Sequence, residues 1–333
     1  MVTIQDIAAA AGVSRYTASK VINRASGVSD DTREKVLRAC REFGYVPNLN
    51  AVNLVRGSSR LIGVIVPYIT DGFYSMLLEG MEKRFSSSGY QLVYKSSYND
   101  SKSEVEAITA LLSLKVGALL IVPVVKDPDR SMHSLAERNT RVIYLDRPYS
   151  EECFCILNDN FNSAVTMTEH LLSRSCDIVF LDSFYGEENP TSLARRKGYE
   201  YAMERNGAVP RIIPSGAGAV EQDNEYYAYE KFREFFRNGE SCGGVFCVTD
   251  AAAFGAARAV REAGFVPGRD IFIGGHDDLR FGAFAQVPLT TMAQPVDGIC
   301  RSALGMVETF MRGEIPAQKR IVLPSKLVIR QSA

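Results

Sequence analysis

The segment Thr3 to Asn23, TIQDIAAAAGVSRYTASKVIN, carries two short amphipathic helix patterns separated by a sharp turn. Thr3, with Asp6 three positions later, gives a capping-box pattern that starts the first helix. Gly12 can adopt the left-handed conformation that a tight turn needs, and Ser14 is a suitable N-cap for the second helix. This arrangement predicts a helix-turn-helix.

A third helix is predicted from Thr32 to Phe43 after the cap Ser29, with an inward face. The inward residues would be Val36, Leu37 and Cys40. The outward face of the second helix would present side chains that can contact phosphates or base edges in the major groove. These are Arg15, Tyr16, Ser19 and Lys20. An ordinary three-helix bundle is the alternative, but this outward chemistry favours a DNA-binding headpiece.

The headpiece also resembles that of the lactose-repressor (LacI/GalR) family of bacterial transcription regulators. The resemblance rests on the segment above, on VSDDTREKV at Val28 to Val36 and on GYVPN at Gly44 to Asn48, and it continues to LPSKLVIRQS at Leu323 to Ser332. It implies a set of DNA-contacting residues in the headpiece. They are Thr3, Ser14, Arg15, Tyr16, Thr17, Ser19, Lys20 and Asn23.

Charge and composition agree with a DNA-binding head on a larger body. Residues 1–60 hold nine Lys or Arg against five acids, whereas the whole chain has a net charge of −1. The seven cysteines show no C-x-x-C spacing, which is typical of reduced thiols in a cytoplasm, and the three histidines lack metal-ligand spacing. We expect a cytoplasmic protein without a metal, a cofactor or a membrane span.

Residues 47–60 follow the headpiece with a helix-compatible stretch that ends in Gly and Ser. The composition alone is consistent with a plain linker. The family resemblance implies a hinge helix that folds on the operator and pairs with the hinge of a second protomer in the minor groove. Leu54 stands at the place of the leucine that wedges between base pairs, and Ala51 at the place of the small residue before it.

From Leu61 onward, apolar runs alternate with helical patterns, as in LIGVIVP, then Phe73 to Ser88, then YQLVYK. This alternation predicts parallel sheets with helices on both faces. A second such series starts near Ser163, so we expect two doubly wound lobes of periplasmic-binding-protein type. The predicted domains are an all-α helix-turn-helix headpiece at 1–46, a hinge at 47–60 and a two-lobed α/β effector-binding and dimerisation domain at 61–333.

Ligands bind at the carboxyl ends of such strands, in the cleft between lobes. Several predicted strands end in polar residues, and the resemblance implies that Asp146, Arg195 and Asp277 hold sugar hydroxyls. The resemblance also implies that Phe73 and Tyr74 are aromatic residues that can stack on a ligand, and Thr249 completes the expected effector site. For Arg147, Arg196 and Asp278, helix capping or a surface ion pair is an equally good interpretation.

Enzymatic motifs are missing from the sequence: it has no phosphate-binding loop and no G-x-S-x-G elbow. We therefore expect a ligand-responsive transcription regulator and not an enzyme. It would act as a repressor that binds a near-palindromic operator as a homodimer under the control of a sugar. A purine or another metabolite remains open as the effector, because the chain has no Trp and Thr249 replaces a frequent Asn. A carrier without a DNA role is the other alternative.

Overall fold

The computed structural model describes residues 2–23, 26–45, 59–125, 131–182, 188–213 and 224–333. The chain divides into two compact units, Met1–Arg60 and Leu61–Ala333. Each unit has its own hydrophobic core.

The described residues of the first unit form three helices, α1 (Ile4–Ala10), α2 (Arg15–Ile22) and α3 (Asp30–Glu42). Thr3 and Asp6 form the capping box of α1, and Ser14 and Ser29 cap α2 and α3 through their hydroxyls. Gly12 has a φ of +64° and makes the turn between α1 and α2. The three helices predicted from the sequence are therefore present, with the expected caps.

The headpiece core is formed by small and branched side chains on the facing sides of the three helices. Its buried members are Ile7, Ala8, Ala18, Val21, Val36 and Ala39. Leu37 was predicted to face inward, and this prediction is wrong, since its side chain is 41% exposed. The inward stripe of α3 runs through Val36, Ala39 and Cys40, which leaves the adjacent Leu37 beside it.

The second unit begins with a lobe that we call the N-lobe, a six-stranded parallel sheet in the order β11-β5-β4-β3-β1-β2. Its strands are β1 (Leu61–Val66), β2 (Gln91–Ser96), β3 (Ala118–Ile121), β4 (Arg141–Leu145), β5 (Cys155–Asn158) and β11 (Arg320–Leu323). Its helices are α4 (Gly72–Ser87), α5 (Ser101–Ser113), α6 (Ser131–Asn139) and α11 (Val296–Met311). Buried clusters cover both sheet faces, as expected for a doubly wound fold.

The other lobe, the C-lobe, has a second six-stranded sheet in the order β12-β10-β9-β8-β6-β7. The strands are β6 (Ile178–Leu181), β7 (Arg211–Ile213), β8 (Gly244–Cys247), β9 (Phe272–Asp277), β10 (Thr290–Ala293) and β12 (Lys326–Val328). The helices are α7 (Asn160–Leu172), α8 (Pro190–Arg205), α9 (Asn224–Arg237), α10 (Asp250–Glu262) and a 3₁₀ turn at Arg280–Phe284. Only β12 runs antiparallel to its neighbour among the pairings of the described strands.

The chain passes between the lobes three times within the described residues. The crossings lie after β5, after β10 and between β11 and β12, because β11 belongs to the N-lobe sheet and β12 to the C-lobe sheet. The two doubly wound lobes predicted from the sequence are therefore present. The described helices include none that is both long enough and apolar enough to cross a membrane.

Candidate functional sites in the headpiece and the cleft

The exposed face of α2 presents the side chains that the sequence assigned to base contacts. Arg15 and Tyr16 are both exposed, Tyr16 to 70%, and neither is needed for the headpiece core. The Lys20 ammonium lies 5.1 Å from the centre of the Tyr16 ring, a cation–π contact on the helix surface. This face therefore carries one guanidinium, one phenol and one ammonium.

The smaller polar residues of the predicted DNA site already have hydrogen bonds within the headpiece. Ser14 Oγ caps α2 and lies 2.9 Å from Thr17 Oγ1, and Thr3 is engaged with Asp6 in the capping box. The Asn23 amide donates to Ser19 Oγ over 3.2 Å. These groups shape the motif, whereas the side chains of Arg15 and Tyr16 are exposed. The hinge residues Ala51 and Leu54 lie outside the described residues.

A cleft opens in the second unit at the carboxyl ends of the parallel strands of both lobes, with a volume of about 180 Å³. All six residues predicted for the effector site line it. They are Phe73, Tyr74, Asp146, Arg195, Thr249 and Asp277. The strands bring them together because parallel strands place their carboxyl ends at one edge of a sheet.

On the N-lobe side, Asp146 follows β4 and has a φ of +66°. Its carboxylate accepts a hydrogen bond from the Tyr74 hydroxyl at 3.2 Å, and Arg147 Nη2 donates to the same hydroxyl at 3.3 Å. Arg147 Nη1 also donates to Asn189 of the C-lobe at 3.3 Å. Arg147 therefore links the two walls of the cleft.

On the C-lobe side, Arg195 is 2% exposed and is held by Asn160 and by a backbone carbonyl. Its Nε donates to Asn160 Oδ1 at 2.9 Å and its Nη1 donates to the Val248 oxygen at 2.6 Å. Its Nη2 lies 3.9 Å from Asp277 Oδ1. Asp277 ends β9 with a φ of +132°, an unfavourable backbone conformation for a non-glycine residue.

A buried polar network connects Arg195 and Asp277 to the crossings between the lobes. Asn158, at the end of β5, accepts from Ser325 Oγ at 2.7 Å and donates to Asn160 and to His276 Nε2. Since His276 Nε2 is then an acceptor, its Nδ1 carries the proton that faces Asp277 Oδ1 at 3.3 Å. Burial and the charge of Arg195 hold the pKa of His276 well below its usual value, so the imidazole is neutral.

The carboxyl groups of the cleft are mutually repulsive. Burial and then the charge of Asp277 raise the pKa of Asp71, which lines the N-lobe wall, to about 7. Burial raises the pKa of Asp277 also, against the opposing effects of Arg195 and of the Gln294 amide. Asp250 has a raised pKa for similar reasons, but it accepts from the Leu279 amide at 2.7 Å and does not line the cleft.

The structure changes the roles that the sequence suggested for Phe73 and Thr249. The Phe73 ring is only 5% exposed and packs into the N-lobe core, so little of it is available for stacking on a ligand. Thr249 Oγ1 accepts from the Ala252 amide as the N-cap of α10. Of the ambiguous residues, Arg196 pairs with Glu200 and Asp278 with Arg330, whereas Arg147 lies in the cleft.

Sequence reasoning missed several polar residues of the cleft. Asp71 is recognisable as a helix N-cap, and nothing in the sequence places it opposite Asp277. Gln294 follows β10, so the strand-end argument that selected Asp146 also applies to it. Asn189, Thr191 and Asn99 come from loops and helix starts, where the sequence carries no comparable signal.

The sequence comparisons agree with this fold. Residues 3–48 match the family model described as bacterial regulatory proteins, lacI family, and residues 168–333 match a periplasmic binding protein-like domain. The HTH-type transcriptional regulator DegA of Bacillus subtilis is 31% identical over 99% of this chain and 97% of its own length. The HTH-type transcriptional repressor PurR of Haemophilus influenzae is 30% identical over 100% of this chain and 98% of its own. The chain therefore belongs to the LacI family of transcription regulators.

Similarity to a solved structure and to a further sequence relative covers both units. The lac repressor dimer bound to its operator and the anti-inducer ONPF superposes with a TM-score of 0.83 at 25% identity, over 99% of this chain and 98% of that one. The ribose operon repressor of Escherichia coli is 28% identical over the whole of both chains. The chain is thus a DNA-binding transcription regulator controlled by a small molecule, and the relatives that define its family are regulators, not enzymes.

Proposed function

We propose that the protein represses transcription as a homodimer bound to a near-palindromic operator, and that a sugar bound in the cleft controls this binding. Each protomer would place α2 in the major groove of one half-site. The observation that carries the proposal is the pairing, in one chain, of an exposed Arg15–Tyr16 face with a polar cleft formed by two lobes. The lac repressor dimer on its operator, similar over nearly the whole chain, supports the same arrangement.

Arg15 and Tyr16 are proposed to read base edges, because they extend from α2 without contributing to its core. Good side-chain contacts to a base are worth about 1–3 kcal/mol of discrimination. We expect Arg15→Ala and Tyr16→Ala to change the bases selected at specific half-site positions from a random DNA pool. Arg38→Ala, an exposed arginine on α3, should leave base preference unchanged. Unaltered selection by both α2 variants would contradict the assignment.

For the segment 47–60 we propose a hinge role, in which Leu54 wedges between base pairs and Ala51 allows two hinge helices to approach. Inserting a side chain costs a few kcal/mol of base unstacking, which is recovered through the larger contact with bent DNA. Leu54→Ala should therefore reduce operator affinity and DNA bending together. A circular-permutation gel shift measures the bend, and an undiminished bend would show that the segment is only a linker.

The effector is proposed to bind among Tyr74, Asp146, Arg195 and Asp277, where hydrogen-bond donors and acceptors from both lobes converge. Polyols suit such a site, because each hydroxyl both donates and accepts a hydrogen bond. A thermal-shift screen of sugars and nucleobases tests the class. Ligand at about 100 times its dissociation constant adds roughly 2.7 kcal/mol of stability. Stabilisation by nucleobases but not by sugars would replace the sugar with a purine.

A further inference from the structure

The described lining of the cleft contains more acidic than basic groups. Three aspartates and one glutamate face two guanidinium groups. The acids are Asp71, Asp146, Asp277 and Glu225, and the bases are Arg147 and Arg195. Glu225 is exposed to solvent, whereas Asp146 and Asp277 are buried. The enclosed part of the cleft therefore carries an unbalanced negative charge when its carboxyl groups are ionised.

Among the described residues, neither of these guanidinium groups forms an ion pair with the Asp71 carboxylate. Arg195 is directed to Asn160, to the Val248 carbonyl and, at 3.9 Å, to Asp277. Arg147 donates to the Tyr74 hydroxyl and to Asn189. Asp71 thus has no cationic partner among these residues, and Asp146 has none either, although its carboxylate accepts a hydrogen bond from the Tyr74 hydroxyl.

Capping of α4 uses only one of the two carboxylate oxygens of Asp71. The Phe73 and Tyr74 amides both donate to Oδ1, at 2.9 and 3.1 Å, and Oδ2 receives neither bond. Asn caps helices as well as Asp does, so the cap itself does not require a charge.

Asp100, the exposed N-cap of α5 in the same lobe, provides a comparison. Hydrogen bonding from Ser103 lowers the pKa of Asp100, whereas burial and the charge of Asp277 raise the pKa of Asp71 to about 7. The position of Asp71 in the cleft accounts for the difference.

A second observation is a buried acceptor in the cleft that has no donor among the described residues. Gln294 is 8% exposed and donates its amide to Asp277 at 2.8 Å, while its Oε1 has no hydrogen-bond partner among the described residues. The Thr191 hydroxyl, which can donate or accept, and the donor Arg147 Nε also line the cleft and have no such partner. Buried polar groups without a partner cost free energy, and a bound ligand with an N–H group for Gln294 Oε1 and hydroxyl groups for the other two would remove this cost.

We propose that the effector carries a cationic nitrogen that binds between Asp71 and Asp277, within reach of the Gln294 carbonyl oxygen. This inference rests on the effector function proposed above and narrows its ligand to an amino sugar or a similar polyol amine. An ammonium group supplies three donors, so it can donate to the two carboxylates and to Gln294 Oε1 together. No group of three or more His, Cys, Asp or Glu among the described residues is placed to hold a metal ion, so an organic cation fits better.

The proposed cation also has a role in closing the cleft. Asp71 belongs to the N-lobe and Asp277 to the C-lobe, and their like charges oppose the approach of the two walls. The lobes already touch nearby, since a Cβ at Gly72 would come within 2.7 Å of Leu279 Cδ2. A positive group between the two carboxylates replaces this repulsion by attraction to both lobes.

The test compares matched neutral and amino sugars on the full-length protein. The probes are D-glucose with D-glucosamine, D-galactose with D-galactosamine, and D-mannose with D-mannosamine. Thermal unfolding ranks them and calorimetry gives affinities for wild type, for Asp71→Asn, which keeps the N-cap, and for the control Asp100→Asn. A charge-assisted hydrogen bond is worth enough that the amino member should bind about 10-fold tighter or more in at least one pair.

We expect Asp71→Asn to remove most of this preference and Asp100→Asn to retain it. Equal or tighter binding of the neutral member in every pair that binds would overturn the inference and leave the proposed effector function intact. An amino-sugar preference that survives Asp71→Asn unchanged would also overturn it. No binding by any member of the three pairs would contradict both the inference and the sugar effector proposed above.

Discussion

At the scale of single residues, the same side-chain type serves opposite purposes in this protein. Asp71 and Asp100 both cap helices of the N-lobe, yet the pKa of one is raised to about 7 and that of the other is lowered. Burial and neighbouring carboxylates disfavour the charged form of Asp71, whereas backbone and side-chain hydrogen bonds in an exposed turn favour the charged form of Asp100. The environment therefore decides whether an N-cap aspartate stabilises or opposes folding near neutral pH.

This difference predicts opposite effects of substitution on stability. Folded Asp71 has a pKa of about 7, against an ordinary value of 3.8, so the folded state binds more protons between these pH values. Stability therefore falls as the pH rises from about 4 to about 7 through this group, and the loss persists above pH 7. Asp71→Asn should raise the melting temperature at pH 8 and reduce the fall of stability between about pH 4 and about pH 7.

Asp100 provides the control because its folded pKa is lowered. It contributes stability that is present above its ordinary pKa and is lost in acid. Asp100→Asn should consequently give no gain at pH 8. Calorimetric melting of both variants between pH 5 and pH 8 tests the pair, and an Asp71→Asn protein that melts lower than wild type at pH 8 would refute the argument.

At the scale of elements, a buried polar cluster in the N-lobe supports the wall of the cleft. Glu104 of α5 accepts from the Val124 amide at 2.9 Å and lies 2.9 Å from His133 Nε2 of α6. His133 Nδ1 lies 3.0 Å from the Tyr144 hydroxyl of β4. Val125, the next residue after Val124, lines the cleft. The cluster thus joins two helices and one strand to the backbone that forms the wall.

Breaking this cluster should be costly. Leaving a buried hydrogen-bonding group without a partner costs about 1–3 kcal/mol. We expect Glu104→Ala to lower the free energy of unfolding by roughly that amount or more, as measured by urea denaturation, because it leaves both His133 Nε2 and the Val124 amide without this partner. Glu106→Ala, an exposed position on the same helix, should have little effect. Comparable stabilities of the two variants would show that the cluster contributes little.

The crossings between the lobes depend on a second cluster, with Asn158 at its centre. Asn158 contacts Ser325 on another crossing and reaches Asp277 through His276. Asn158→Ala should weaken effector binding although Asn158 does not line the cleft, because Asp277 and Arg195 lose support through His276 and Asn160. Calorimetry with the tightest sugar of the screen tests this, with exposed Asn162→Ala as the control. Wild-type affinity in Asn158→Ala would exclude a positioning role.

At the scale of the whole molecule, the headpiece and the two-lobed body are separate compact units with separate cores. Damage to the effector site should therefore leave the headpiece folded. Control of DNA binding by the effector is a coupling free energy, which is typically about 1–3 kcal/mol. A residue that contacts the effector but not DNA is expected to change effector binding and the response of DNA binding to it, and to leave DNA affinity without effector unchanged.

Asp277→Ala is the corresponding prediction. The variant should bind operator DNA with near wild-type affinity in the absence of effector, and its DNA binding should no longer respond to the effector. Gel shifts with and without the tightest sugar of the screen measure both properties. Asp278→Ala serves as the control, since Asp278 pairs with Arg330 at 2.6 Å outside the cleft and should keep the response. A normal response of Asp277→Ala would remove Asp277 from the site.

The sequence by itself determined the elements of this protein and their order. Caps such as Thr3 and Ser14, the turn at Gly12 and the alternating apolar runs act over a few residues, so they are legible without coordinates. Strand ends also indicated Asp146 and Asp277, because a residue at the end of a strand in a parallel sheet lies at the carboxyl edge of that sheet.

Only the tertiary structure decided which of these groups meet. Asp71 becomes part of the cleft because two lobes, joined by three crossings, bring it near Asp277, more than two hundred residues away in the chain. Leu37, predicted inward, is exposed because the packing of α3 selects the neighbouring stripe. Burial and electrostatic repulsion depend on distances in space, and these distances arise only when the separate elements pack together.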